Sequence, residues 1–290
     1  MLLKPTHLTL AATLAVGLTQ VPQAQALLVG VTHRDLVLID ELNPSAVVSL
    51  GAHGLDGLSA RSLAFDPGTG TLYGLASNRT TGIQKLVSYD LGTGAATVVA
   101  DLGSLPSVGY FETLAFDTDA NRLVASKASN PATWVSDELV EVGLDGSTSL
   151  IMNSSRDNDF GAYGQGTLYT VDIYGANVIV PIDLGGAVGD ALAPTPNALT
   201  TGILAYSEEH QALFASDTAS NRLYRLSTTG PDVIDLGLIG GNSILGLAFL
   251  PEPITNRVID PQAVNPEPAT ASLAALGAAG LLLSRRRRAD

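Results

Sequence analysis

A short apolar strand ending near an aromatic residue recurs five times in this chain: Ser62-Leu-Ala-Phe65-Asp66, Thr113-Leu-Ala-Phe116-Asp117, Phe160-Gly-Ala-Tyr163, Ile203-Leu-Ala-Tyr206 and Gly246-Leu-Ala-Phe249. The aromatic positions are 51, 47, 43 and 43 residues apart. Self-similarity at a period of about 40–50 residues is the signature of a propeller blade of four antiparallel strands. The first four copies are each followed by a polar turn and a second strand, at residues 71–76, 122–126, 167–171 and 212–216. Third strands follow at 85–90, 138–142, 178–183 and 222–227, each running into a Gly-containing turn. A less regular fourth strand closes the unit, clearest at 97–100 and 233–236.

The fifth copy stops after one strand, whereas residues 27–50 supply three strands that lack a first one: Leu27–Thr32, Asp35–Asp40 and Ala46–Leu50. Each fragment completes the other, and a blade built from both ends of the chain protects edge strands and closes a ring. The expected class is therefore all-β: a β-propeller over residues 27–251, read as five four-stranded blades closed by pairing the N- and C-terminal strands. The spacing also admits six blades or an irregular β-sandwich. The strand contents resemble those of β-propeller repeat proteins over about 225 residues, and the fold alone supplies no function.

Both ends of the chain read as export signals. Residues 1–26 carry Lys4, an apolar run over Leu8–Leu18, and Ala24-Gln25-Ala26, the small residues a signal peptidase requires at −3 and −1. That run has 11 residues, where a spanning helix needs about 20. The mature chain is expected to start near Leu27. At the other end stand Pro266-Glu267-Pro268, the uncharged segment Ala269–Ser284, and Arg285-Arg286-Arg287-Arg288. A helix over those 16 uncharged residues spans about 24 Å, slightly short of a hydrocarbon core, and flanking arginines can snorkel to complete it. The arginines hold that end in the cytoplasm, which leaves the body outside the inner membrane.

This three-part ending resembles the PEP-CTERM sorting signal: a Pro-Glu-Pro motif at 266–268, a short transmembrane helix at 269–284 and an Arg cluster at 285–288. The resemblance implies cleavage by an exosortase-type membrane enzyme near the motif. It also implies transient anchoring in the inner membrane, then delivery to the surface or matrix of a Gram-negative bacterium that makes exopolysaccharide. A tail anchor that is never cut is the alternative. The earlier Pro251-Glu252-Pro253 precedes a stretch too polar to enter a membrane. Residues 252–265, Pro-rich and polar, read as a linker between propeller and signal.

The chain has no Cys, which excludes disulfides, a thiolate nucleophile, Cys-ligated zinc and iron–sulfur clusters. Residues 27–265 hold 10 basic and 26 acidic side chains, a net charge of −16 that argues against nucleic acid or anionic lipid as a partner. His33, His53 and His210 show no ligand spacing, and no P-loop, dinucleotide fingerprint or nucleophile elbow is present. Asn78-Arg-Thr and Asn153-Ser-Ser read as surface turns.

Propeller ligands usually sit over the central channel, so the residue four positions before each repeat aromatic marks the expected site. Those residues are Arg61, Glu112, Asp159, Gly202 and Leu245, with Tyr110, Asp157, Thr200 and Ser243 two positions earlier in four blades. Arg61, Tyr110, Glu112, Asp157 and Asp159 are the candidate ligand-binding set. Trp134 joins it as a surface for stacking a sugar ring, against the commoner role of covering a blade edge. An opposed Glu112 and Asp159 can act as acid and base in glycoside hydrolysis, with Arg61 orienting substrate, or can bind sugar hydroxyls without cutting. Ordinary polar loops around a solvated channel explain the same residues, and the expected function is non-enzymatic: binding or scaffolding in an exopolysaccharide biofilm. No cofactor is expected. Asp117-Thr-Asp119-Ala-Asn121 opens like a calcium loop, but Arg122 and Ala128 stand where an EF-hand needs Gly and Glu. An inter-strand turn is favoured there, with a looser calcium site involving Asp157 or Asp159 as the alternative.

Overall fold

The chain reverses where Asp, Asn, Gln and Gly permit it. Asp66 Oδ1 accepts the N–H groups of Gly68 and Thr69, and Asp117 Oδ1 those of Asp119 and Ala120. These are side-chain-mimicked turns, for which Asp is favoured. The residue that re-enters the next strand lies in the left-handed region at Gly70, Asn121 and Gln211, with φ of 72°, 53° and 47°. Gln165 and Gly166 both have positive φ and form a two-residue hairpin turn. That shorter turn explains why Leu follows the aromatic by five residues in this repeat and by seven in three others.

The computed structural model describes residues 27–104, 110–128, 137–172, 178–194, 202–241 and 243–251. The expected signal peptide (1–26), linker (252–265), sorting signal (266–290), Trp134 and Thr200 lie outside the described residues. All the elements described are strands. They run β1 (Leu27–Val31), β2 (Asp35–Asp40), β3 (Asn43–Ala52), β4 (Ser59–Asp66), β5 (Thr71–Ser77), β6 (Ile83–Tyr89) and β7 (Ala96–Ser104). Next come β8 (Tyr110–Asp117), β9 (Arg122–Ala128), β10 (Asp137–Val142), β11 (Thr148–Asn153), β12 (Phe160–Gly164), β13 (Thr167–Asp172) and β14 (Val178–Asp183). The last are β15 (Ala187–Val188), β16 (Ala193–Pro194), β17 (Gly202–Ser207), β18 (Ala212–Asp217), β19 (Arg222–Ser227), β20 (Val233–Leu238) and β21 (Gly246–Leu250).

Five antiparallel sheets result, each starting from an inner strand: β4 to β7, β8 to β11, β12 to β15, β17 to β20, and a sheet ordered β21-β1-β2-β3. Counting the sheet that holds β1 as the first blade, the fourth (β12 to β15) has a broken outer edge, with β15 and β16 both pairing with β14. The first blade closes the circle. Strand β21 pairs with β1 from Leu27↔Leu250 to Val31↔Gly246, so the two chain ends share one sheet, as the repeat pattern predicts.

Five hydrophobic clusters fill the gaps between neighbouring sheets. Leu36 and Leu55 meet Leu63 and Leu72 between the first and second blades, and Leu75 and Leu86 meet Phe111 and Leu114 between the second and third. Val124 and Leu139 meet Leu168 and Ile182, Tyr169 and Ile179 meet Leu204 and Leu213, and Phe214 and Leu223 meet Leu28 and Ile39. The last contact returns to the first blade, which fixes the count at five. Each buried Leu, Ile or Val contributes roughly 1.5–3 kcal/mol relative to exposure. Outer strands instead leave Val48, Val98, Leu150 and Ile234 exposed. The architecture is a five-bladed β-propeller.

Candidate functional site

Two bulges re-aim side chains at the start of the inner strands. The β4–β5 register shifts between Arg61 and Leu63, and the β8–β9 register shifts between Phe111 and Thr113, which leaves Ser62 and Glu112 as unpaired extra residues. A bulge redirects its side chain and sharpens the local twist. Glu112 is thereby brought towards Asp137, at the start of β10, and Asp157, in the segment leading into β12. Oxygens of these three carboxylates lie within 4.8 Å of one another.

Asn158 holds this arrangement in place. Its backbone N–H donates to Asp137 Oδ2 at 2.6 Å and its carbonyl accepts from Ser126 Oγ at 2.6 Å. Its side-chain amide donates to the Arg156 carbonyl at 2.9 Å and accepts from Thr170 Oγ1 at 3.0 Å. Asp157 and Asp159 flank this fixed residue, so their backbones are fixed too. Arg156 is anchored in turn by an ion pair with Asp172 at 3.0 Å.

The basic side of the cluster is built around Tyr110. The guanidiniums of Arg61 and Arg79 each lie 5.4 Å from its ring centroid, within cation–π range. Its hydroxyl is 2.9 Å from Ser77 Oγ and accepts from Arg79 Nε at 3.3 Å. The structure therefore brings together Arg61, Tyr110, Glu112, Asp157 and Asp159 from the expected set. Gly202 begins β17, Leu245 exchanges backbone hydrogen bonds with Val31 and Ser62, and Ser243 Oγ donates to the Thr218 carbonyl at 3.5 Å, so these three serve the frame.

The carboxylates lie deeper than a solvated mouth would place them, while Arg61 and Asp159 at the edge are half-buried and Arg79 is exposed. Tyr110, Glu112, Asp137 and Asp157 are 2, 6, 1 and 1% exposed. Burial, followed by the charges of Asp159 and Asp137, pushes the Glu112 carboxyl up to about 9, and burial raises Asp137 to about 6. Burial also raises Asp157 and Asp159, which face each other closely enough to share a proton. Arg79, Asp137, Asn158 and Asp172 were not found by reading the inner strands alone. Asp137 and Asp172 occupy the ends of second and third strands that meet the same face of the ring, which is the signal that reading every strand end would have caught.

The five repeat aromatics gather at the other end of the inner strands. Phe65, Phe116, Tyr163, Tyr206 and Phe249 line one axial cavity of about 460 Å³, with Pro67, Thr118, Glu208 and Glu209 from the turns at its rim. At about 3.3 Å per residue, the four-residue offset from Glu112 to Phe116 separates the two sites by roughly 13 Å along the strand. Tyr206 stacks on Tyr169 at 6.0 Å, and Tyr163 donates to Asp119 Oδ2 at 3.0 Å. Asp119 thus holds a ring of the cavity wall, and the Asp117–Asn121 segment is an inter-strand turn. His210 does not approach another histidine; its Nε2 lies 2.6 Å from Glu41 Oε1 and ties the fifth blade to the first.

No family model and no curated protein matches the sequence. Solved structures do match by shape. A chain of a nidogen/laminin complex superposes with a TM-score of 0.52 at 10% identity, over 79% of this chain and 99% of that one. TolB from Acinetobacter baumannii gives 0.48 at 18% identity, over 75% and 52%. A catalytically inactive virginiamycin B lyase from Staphylococcus aureus, crystallised with quinupristin, gives 0.42 at 14% identity, over 80% and 78%. At these identities the likeness concerns the fold alone.

Proposed function

We propose that this five-bladed propeller is exported, processed at both ends and delivered to the cell surface or extracellular matrix. There it acts as a non-enzymatic binding or scaffolding module for exopolysaccharide. The terminal segments support the route: residues 1–26 present a signal-peptidase site at Ala24 and Ala26, and residues 266–288 resemble a PEP-CTERM signal. Signal peptidase and an exosortase-like enzyme are the processing partners this reading requires. Among the described residues no helix is long and apolar enough to cross a membrane, and the proposed spanning segment lies outside them.

The observation that carries the binding role is the separation of the two sites. The cavity is walled by five aromatic rings, a lining suited to the apolar face of a sugar ring. Of the carboxylates suited to acid–base chemistry, Glu112 is buried and Asp159 half-buried at the opposite end of the same strands. A polymer entering the cavity does not meet Glu112 or Asp159. The competing reading, hydrolysis by those two residues, draws support from the raised Glu112 pKa, which keeps a general acid protonated at neutral pH.

One experiment separates them. Residues 27–265 contain every strand of the closed ring and are incubated with exopolysaccharide from the host, with retention and released reducing ends both measured. Binding that survives Glu112→Gln but weakens at least tenfold in Phe249→Ala, with no sugar released, is the expected result. Sugar release that Glu112→Gln abolishes establishes the hydrolytic reading, and absence of both retention and release removes the exopolysaccharide role.

A further inference from the structure

We propose that Glu112, Asp137 and Asp157 form a binding site for one divalent cation of the calcium or magnesium type, seated between the third and fourth blades. Three observations converge on it. The carboxylate oxygens lie within 4.8 Å of one another. Two oxygens bound to one calcium at about 2.4 Å are at most about 4.8 Å apart, so each pair of the trio is within the separation a shared ion permits.

The second observation is that these oxygens lack N–H donors among the described residues, Asp157 facing only the carboxyl of Asp159 beside the trio. Glu112 Oε2, Asp137 Oδ1 and both oxygens of Asp157 accept no hydrogen bond from any N–H or hydroxyl, although Glu112, Asp137 and Asp157 are all more than nine-tenths buried. Buried carboxylates are normally satisfied by donors, paired with cations or bound to metal. Here Asn158 directs its own donors to Asp137 Oδ2 and the Arg156 carbonyl and leaves the remaining oxygens facing one another.

The third observation is charge. Glu112, Asp137, Asp157, Asp159 and Asp172 interact electrostatically with one another, and the guanidiniums in reach are Arg61, Arg79 and Arg156. With all five carboxylates ionised the excess is two negative charges, which one divalent cation balances. The donor set is entirely carboxylate oxygen, which selects hard ions over zinc or copper. An ion here joins β8 and β10 of one blade to the segment entering β12 of the next, so binding couples to blade–blade cohesion. Each ion bound displaces the protons that otherwise neutralise the trio.

The test uses residues 27–265 stripped with a chelator and reloaded separately with calcium, magnesium or manganese chloride. Metal analysis after desalting is expected to find one ion per chain for at least one of the three, with a saturable rise in Tm of several degrees. Asp157→Asn and Glu112→Gln are expected to lose both effects, whereas Asp119→Asn, in the turn below the cavity, retains them. No retained ion and no Tm response in the wild type overturns the proposal. So does an ion lost in Asp119→Asn and kept in Asp157→Asn. Should the two isosteric variants fail to fold, crystals of manganese-loaded wild type decide through the anomalous signal: a peak among Glu112, Asp137 and Asp157 supports the site, and a peak elsewhere contradicts it.

Discussion

Ser62 Oγ donates to the Leu114 carbonyl at 3.1 Å and accepts from the Leu114 N–H at 2.8 Å, so one hydroxyl fastens the inner strand of the second blade to that of the third. Ser62 is the bulged residue of β4 and has a φ of 32°, a backbone angle that the two bonds help to hold. Ser62→Ala leaves two buried backbone groups of Leu114 unsatisfied. The expected loss is about 2 kcal/mol, read from urea denaturation, because each orphaned buried group costs roughly 1–3 kcal/mol before any relaxation. A change below about 0.5 kcal/mol means that water or a shifted strand replaces the clasp.

Gly164 is a position where the cavity wall depends on a missing side chain. A Cβ there would come 2.0 Å from the Tyr206 ring. Gly164→Ala must therefore push Tyr206 off its stack with Tyr169 and towards the axis. Overpacking of this kind costs about 1–3 kcal/mol. The variant is expected to lose that stability and, on the proposed function, its retention by polysaccharide. Retained binding at wild-type strength places the ligand elsewhere.

Tyr110 holds two like-charged guanidiniums against its ring, and its ring and hydroxyl act differently. Tyr110→Phe keeps both cation–π contacts and removes the bonds to Ser77 and Arg79, for an expected cost of about 1 kcal/mol. Tyr110→Leu removes both and is expected to cost clearly more. Equal losses for the two variants indicate that the ring faces contribute nothing beyond volume.

The buried acids give the metal-free protein a distinctive pH response. Glu112 and Asp137 have folded-state pKa values of about 9 and about 6, above their ordinary values of 4.5 and 3.8. Between the ordinary and the raised value the native state holds more protons than the unfolded state, so stability falls as pH rises through that window. In chelator, Tm is expected to decline from about pH 5 to about pH 9, with a shallower slope in Glu112→Gln. A flat profile in the wild type shows that these groups are solvated.

Much of the fold can be read from the chain because the propeller repeats. The aromatic at Phe65, Phe116, Tyr163, Tyr206 and Phe249 recurs at blade spacing, and the orphan strands at both ends have one way to pair. The site was only partly legible. Arg61, Glu112 and Asp159 share one repeat position and could be aligned, whereas Asp137 comes from β10 and Arg79 from the β5–β6 turn, and both reach the cluster only through three-dimensional closure. Burial was also hidden: polar residues before an inner strand suggest an open mouth, and nothing in the sequence announces that Glu112, Asp137 and Asp157 lie buried behind Tyr110. The aromatic cavity lay in plain view as the repeat itself, but a lone strand does not show that five copies converge on an axis.

Export and processing of the propeller are tested most directly by intact-mass analysis of the native host. Inner-membrane, surface-polysaccharide and medium fractions are compared for species of this chain. A form starting near Leu27 and ending near Pro266, found with the surface polysaccharide or in the medium, is the result predicted. A species that retains Arg285 to Arg288 and stays wholly in the inner membrane contradicts it and leaves an anchored propeller with no role in the matrix.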